Sequence, residues 1–176
     1  MVSKSEIAYF AGGCFWCVQP PFNKTKGVTK TYVGYMGGEV SNPTYKQVCT
    51  GKTGHTEALK VEFDPSIVSY DDLLKVFWHQ IDPTTLNGQF CDMGTQYRTG
   101  IYYINEMQKK LALASREKLE NSGLFRDKLV TEILPASDFW MGEEEHQDFY
   151  LKNPTHYQCY RESSGRDEFI KSVWGS

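Results

Sequence analysis

The segment "HTEALKVEFDP", residues 55–65, constrains the fold more than any other in the chain. Leu59, Val61 and Phe63 alternate with Lys60, Glu62 and Asp64, the period of two of a strand with one apolar and one polar face. Such a strand must lay its apolar face on a second layer, and a one-residue slip of register would turn the whole set to solvent. The same alternation carries His55 and Glu57 onto the apolar side. An inward carboxyl group is costly unless it is paired, protonated or used, so Glu57 is the acid that most needs a chemical reason.

Around this strand the chain mixes strand and helix signals from end to end. "EIAYFAGG" reads as a strand running into a glycine turn, and "CFWCVQ" as the start of a short helix. Pro20 and Pro21 argue against a long regular helix there, because an interior proline removes a hydrogen bond and clashes. "VTKTYVGYMGG" is a second strand closed by Gly37 and Gly38. "SIVSYDDLLKVFWHQI" predicts a helix capped by Ser69, with an apolar stripe of Tyr70, Leu73, Leu74, Phe77 and Ile81. "RTGIYYI" and "KLVTEILP" read as strands, and "NEMQKKLALASREKLENSG" as a helix from Asn105 to Gly123. "GEEEHQDFYLKN" reads as a helix whose "EEEH" is its acidic first turn, with no chemistry assigned. The tail, "PTHYQCYRESSGRDEFIKSVWGS", reads as irregular before a short final helix. Neither linker nor repeat divides the 176 residues, so one domain, 1–176, of α+β or α/β sandwich type is expected.

Composition narrows the function classes. With 40% hydrophobic and 23% charged residues the chain is a folded globule, and a net charge of -3 without a basic patch speaks against nucleic acid as a partner. "MVSKSEIAYF" lacks the apolar core of a signal peptide, and no apolar run reaches the roughly 20 residues that span a bilayer. A cytoplasmic protein away from membranes is expected, and its five cysteines are read as thiols rather than as a disulfide framework.

The chemistry concentrates in "AYFAGGCFWCVQPPF". Cys14 and Cys17 have the spacing of two zinc ligands, with His55 as a third, but a structural site needs a second close pair and none exists. As a nucleophile, Cys14 sits where a strand turns through glycines into a helix start, where backbone N–H groups and the helix dipole favour a thiolate. The plainer alternative is a small buried hydrophobe. Phe15 and Trp16 are either core or the walls of a small pocket suited to a thioether or methyl group. Tyr35 and Tyr97 are candidate hydroxyl donors. "GQFCDMGTQYR" is a turn-rich loop with Asp92 and Arg98 on either side of Gly94, the kind of segment that often carries sites.

Together these pieces resemble the A-type methionine sulfoxide reductases. "GGCFW", "GYMGG", "TGHTE", "DMGTQYR", "HQDFYLKNP" and "SGRD" stand in family order across nearly the whole chain. The resemblance implies an α+β fold: a single-domain α/β sandwich with a mixed, largely antiparallel sheet (ferredoxin-like core). It implies reduction of methionine S-sulfoxide, free or in oxidised proteins, through a cysteine sulfenic acid. Cys14 would attack the sulfoxide sulfur, and Phe15 and Trp16 would hold the S-methyl group. Glu57 would protonate the sulfoxide oxygen, Tyr35 and Tyr97 would support it, and Asp92 would help order the site. It implies no metal or organic cofactor, and thioredoxin or another thiol as reductant; a monomer is expected by default, for an active site that must admit other proteins.

Two departures leave the recycling step open. Many members carry resolving cysteines in a glycine-rich C-terminal tail, absent from the stretch ending "KSVWGS", and many have glycine where Cys17 stands. A sulfenic acid condenses with a thiol that can reach it. The order of candidates is Cys17, then Cys159 in the tail, Cys91 beside Asp92, and last Cys49. The competing functions are simple dithiol–disulfide exchange by Cys14 and Cys17, which would not require Phe15, Trp16 or an inward Glu57, and a non-catalytic Cys/His metal module.

Overall fold

The computed structural model describes residues 5–175. Residues 1–4, which entered the signal-peptide argument, and Ser176 lie outside the described residues, as do those ends of the expected 1–176 domain. Along the chain the elements are β1 (Glu6–Gly12), α1 (Phe15–Asn23), β2 (Val28–Met36), α2 (Tyr45–Cys49), β3 (Thr56–Phe63), α3 (Tyr70–Trp78), β4 (Gly88–Gln89) and β5 (Asp92–Met93). They continue as β6 (Thr99–Tyr103), α4 (Glu106–Asn121), β7 (Glu132–Pro135), β8 (Trp140–Met141), α5 (Phe149–Lys152), α6 (Pro154–Ser164) and α7 (Arg166–Trp174).

Six strands form one sheet in the order β7-β6-β1-β3-β2-β8. Every pairing is antiparallel except β6 with β7, so the sheet is mixed and largely antiparallel, as expected. The alternating segment is β3, with β1 and β2 on its two sides. Its register sets Leu59 opposite both Phe10 and Val33, and Glu57 opposite Tyr35. The even-spaced set therefore faces one layer: Phe10, Val33, Tyr35, Leu59, Val61 and Phe63 are buried with Phe22, Leu73 and Phe77 from α1 and α3. Phe10 stacks on Phe22 at 5.1 Å and on Phe77 at 5.2 Å between ring centroids. Burying each such ring contributes about 1.5–3 kcal/mol.

The opposite face departs from the simple inside–outside pattern. Ala11, Met36, Ala58 and Tyr102 are buried there against Ala136 and Phe139, so the connection from β7 to β8 covers that end of the sheet. Gly34 permits the cover. A Cβ at that position would stand 2.3 Å from the Trp140 carbonyl oxygen.

Helix α1 is short, nine residues with Pro20 and Pro21 in its second half, as expected. Three expectations of local structure need correction. "GEEEHQDFYLKN" is not one helix: a 3-10 turn at Glu144–His146 is separated from α5 by Asp148 in the left-handed region. The break frees the Gln147 side chain, which accepts from Val33 N–H and donates to the Val33 and Gly142 carbonyls, each at 2.9 Å. The tail is helical, not irregular. Pro154 opens α6 at a position where its missing N–H costs nothing, and Gly165 at φ 85 closes it. Ile81 is buried with the α3 stripe but lies past the end of that helix.

Candidate active site

Strand β1 delivers the chain to Gly13, which holds φ 88 and where a Cβ would meet the Gln89 side chain at 2.7 Å. Glycine alone makes this turn without strain. It places Cys14 as the residue capping α1, with Cys17 one turn later and its N–H on the Cys14 carbonyl at 3.1 Å. Both sulfurs are buried, and the two side chains hydrogen-bond to each other.

The first N–H of the helix, that of Phe15, donates to Glu57 Oε1 at 3.0 Å. Glu57 is 1% exposed, and its Oε2 is buried with no hydrogen-bond partner among the described residues. Desolvation is the main cause that pushes this carboxyl up to about 8, with the Phe15 N–H opposing and the charges of Asp92 and Cys17 adding to it. Below that value Glu57 carries a proton in an apolar site, the state of a general acid.

The surroundings of Cys14 oppose a thiolate there. Burial, then the bond to Cys17 and the charges of Cys17, Glu57 and Asp92, hold the Cys14 thiol well above the ordinary range. The sulfur that gains is Cys17, brought down to about 7 by its bond to Cys14 and by the charges of Arg166 and Arg161, against the cost of burial. The physical reason is that the helix N–H is committed to Glu57 while the nearby cations favour position 17.

Aromatic rings enclose this turn. Phe15 is buried, tilted on Tyr35 at 5.8 Å and stacked on Tyr45 at 6.2 Å. Trp16 is half-buried. Its ring stacks on Phe149 at 3.9 Å, and its indole N–H donates to His146 Nδ1 at 3.1 Å. The Tyr35 hydroxyl, expected as a donor, is given to Glu143 Oε1 at 2.7 Å, and Glu143 Oε2 accepts from Tyr45 N–H at 2.8 Å. Tyr97 is partly buried beside Cys49, whose sulfur hydrogen-bonds Tyr45 and Tyr97, and burial together with the Glu57 and Asp92 charges pushes its phenol up. Asp92 accepts from the Tyr160 hydroxyl, and its carboxyl is raised by burial.

The structure thus gathers Cys14, Phe15, Trp16, Cys17, Tyr35, Glu57, Asp92 and Tyr97. Cys49, ranked last, lies on the same wall. Cys91 is exposed next to Asp92, and Cys159 is exposed on helix α6. His55 turns to the loop after β2, where Nδ1 accepts from Gly38 N–H at 3.0 Å and Nε2 lies 2.7 Å from the Val40 carbonyl. Sequence reasoning missed Tyr45, Glu143, Phe149, Tyr160, Arg161 and Arg166. None stands in a pattern that announces chemistry, although "HQDFYLKNP" and "SGRD" held Phe149 and Arg166 as unexplained pieces.

The sequence model of the family described as peptide methionine sulfoxide reductase matches residues 6–176. The chain belongs to that family. It is 52% identical over 176 residues, 100% of this chain and 99% of the relative, to peptide methionine sulfoxide reductase MsrA of Bacillus subtilis. To the protein of the same name from Halalkalibacterium halodurans it is 53% identical over 175 residues, covering 99% of each. Among solved structures it resembles the reduced form of Mxr1 from Saccharomyces cerevisiae, with TM-score 0.81, 32% identity and coverage of 86% of this chain and 87% of that one. It also resembles methionine sulfoxide reductase A of Corynebacterium diphtheriae, with TM-score 0.76, 39% identity and coverage of 85% and 76%. The chain is an enzyme, an oxidoreductase of this family, and reduces methionine sulfoxide. Among the described residues no helix is long and apolar enough to cross a membrane.

Proposed function

We propose that Cys14 and Glu57 together reduce the S epimer of methionine sulfoxide, free or in proteins. One observation carries this reading: Glu57 is pinned through Oε1 to the N–H that follows Cys14, while Oε2 stays buried and unpartnered on the same turn. The Cys14 sulfur attacks the sulfoxide sulfur as its proton passes to Cys17, and Glu57 gives a proton to the sulfoxide oxygen. The oxygen moves to Cys14 as a sulfenic acid, and methionine leaves. Phe15 and Trp16 hold the S-methyl group. Tyr97, and Tyr35 by exchanging its bond to Glu143, support the sulfoxide oxygen, and Asp92 with Tyr160 orders the wall opposite.

Cys17 then condenses with the sulfenic acid, and thioredoxin or another thiol reduces the resulting disulfide. Support for Cys17 over Cys159, Cys91 and Cys49 comes from its hydrogen bond to Cys14. A complex of yeast Mxr1 with Trx2 has been solved, and we assign the same class of reductant here. The sequence β1-α1-β2-β3-α3-β6, with sheet order β6-β1-β3-β2, supports a ferredoxin-like core. We read 1–176 as one catalytic domain needing no metal or organic cofactor, working in the cytoplasm, where its five free thiols stay reduced.

Single-turnover kinetics without reductant test the assignment. Glu57→Gln keeps the bond to Phe15 but carries no acidic proton, and methionine release should slow by roughly 10²–10⁴-fold. A near-normal rate removes Glu57 from the mechanism. Mass spectrometry of the same reaction should find a Cys14–Cys17 bond; a Cys14–Cys159 bond or a lasting sulfenic acid overturns the recycling step.

A further inference from the structure

Pro21 has no N–H to give the carbonyl of Cys17, four residues back in α1. That carbonyl is taken instead by Nη1 of Arg161, 3.1 Å away and 144 residues further along the chain. Arg161 is gripped on every arm: Nη1 also donates to the Tyr157 hydroxyl at 3.1 Å, Nη2 to Gln80 Oε1 at 3.2 Å, and Nε to Asp167 Oδ1 at 2.8 Å. Its side chain is 12% exposed. Arg166, 1% exposed, donates Nη1 to the Gln80 carbonyl at 2.6 Å and Nη2 to the Gly12 carbonyl at 3.2 Å, so a second guanidinium is fixed beneath the same turn. The titratable and charged groups that interact electrostatically with Cys17 are Cys14 on its own turn, Glu57 from β3, Cys91 and Asp92 from the β4–β5 hairpin, Tyr157 and Arg161 from α6, and Arg166 from α7. The two arginines are the cations of that set.

We infer that Arg161 is a positioning residue for the recycling step: it fixes the Cys17 turn through the carbonyl that Pro21 leaves free and, with Arg166, places positive charge beside that turn. The inference rests on the resolving role given to Cys17 above. The Cys17 thiolate first accepts the Cys14 proton during attack on the sulfoxide. Cys17 then passes that proton to the sulfenic oxygen, and its re-formed thiolate attacks the sulfenic sulfur of Cys14. The S–S bond forms as the S–O bond breaks, and the oxygen leaves as water with the proton delivered by Glu57 and the one passed on by Cys17. Cys17 is oxidised, the sulfenic sulfur of Cys14 is reduced, and no outside oxidant enters. The C-terminal helices thus contribute charge to the reset rather than a resolving thiol of their own.

Asp167 gives the test its sign, because it is the counter-charge of Arg161 and is itself largely exposed. The full-length reduced enzyme is titrated by ultraviolet thiolate absorbance, with Cys17→Ser as the blank, and thermal melts confirm that each variant is folded. Arg161→Gln should raise the thiolate midpoint by about one pH unit, and Asp167→Asn should lower it. At neutral pH, Arg161→Gln should slow Cys14–Cys17 bond formation roughly five-fold as the thiolate fraction falls. Arg161→Lys should restore the midpoint more than the rate, because a lysine keeps the charge without the fork. Midpoints that do not move, or that move the same way in Arg161→Gln and Asp167→Asn, overturn the inference. A bond that forms at equal rates in all variants overturns it alone. A wild-type enzyme that turns over once and leaves no Cys14–Cys17 bond sinks the recycling reading first, and this inference with it.

Discussion

Cys17 titrates at about 7 and Glu57 at about 8, and the mechanism proposed above needs them in opposite states. Glu57 must hold its proton, which it does below about 8, and burial is the chief cause of that value. Cys17 must have lost its own, which it does above about 7, with Arg166 and Arg161 among the causes. Activity should therefore fall on the acid side as Cys17 is protonated and on the alkaline side as Glu57 ionises. The single-turnover rate against pH is expected to be a narrow bell between those values, and in Glu57→Gln the alkaline limb should vanish. A flat profile from pH 6 to pH 9 (about two units wider than that window) would separate both groups from the chemistry. The inward aim of Glu57 was legible in the period of two along β3. The pull of cations on Cys17 was not, because it comes from arginines about 145 residues away in sequence.

At the scale of elements, the short strand β8 holds the acidic segment that sequence reading passed over. It pairs with β2 through Gly34–Met141 and Tyr35–Trp140, and Gly142 N–H reaches the Val33 carbonyl at 2.8 Å. Glu143 and His146 follow directly and meet Tyr35, Tyr45 and Trp16. Gly34→Ala would drive a methyl group into the Trp140 carbonyl and the Phe139 ring. The expected cost is about 1–3 kcal/mol, read as a lower denaturation midpoint. A higher KM should accompany it as Glu143 and His146 shift from the aromatic wall. Unchanged KM and midpoint would mean that β8 does not position the site. A two-residue strand has too little pattern to be read from sequence, and the helical look of "EEEHQDFYLKN" was undone by Gln147, whose amide serves the backbone of β2 better than a helix would.

Across the whole molecule, the far end of the chain buttresses its beginning. Arg166 crosses 154 positions of sequence to hold the Gly12 carbonyl, two residues before Cys14, and its cation rests 4.7 Å from the centre of the Phe90 ring. Replacing it by methionine keeps much of the bulk and leaves the Gly12 and Gln80 carbonyls without their donor. Urea unfolding of Arg166→Met should show a loss of about 2–4 kcal/mol, with the Gly12–Gly13 turn among the first regions to gain hydrogen exchange. Full stability would show that the turn holds itself.

What the sequence by itself determined is the set of local facts that follow from residue type and spacing. The alternating strand, the glycine turn into Cys14, the Ser69 and Asn105 caps, and an acid that had to face inward are of this kind, because each depends on neighbours a few positions away. The family motifs extended that reading to the roles proposed for Cys14 and Glu57. Only the tertiary structure decided that Arg161 and Arg166 hold the turn of Cys14 and Cys17, that the tail is helical and grips α1, and that Glu143 and Tyr160 are already bonded to Tyr35 and Asp92. Those outcomes are electrostatic and packing relations between segments brought together by folding, and Coulomb interaction and burial depend on distance in space, which spacing along the chain does not encode.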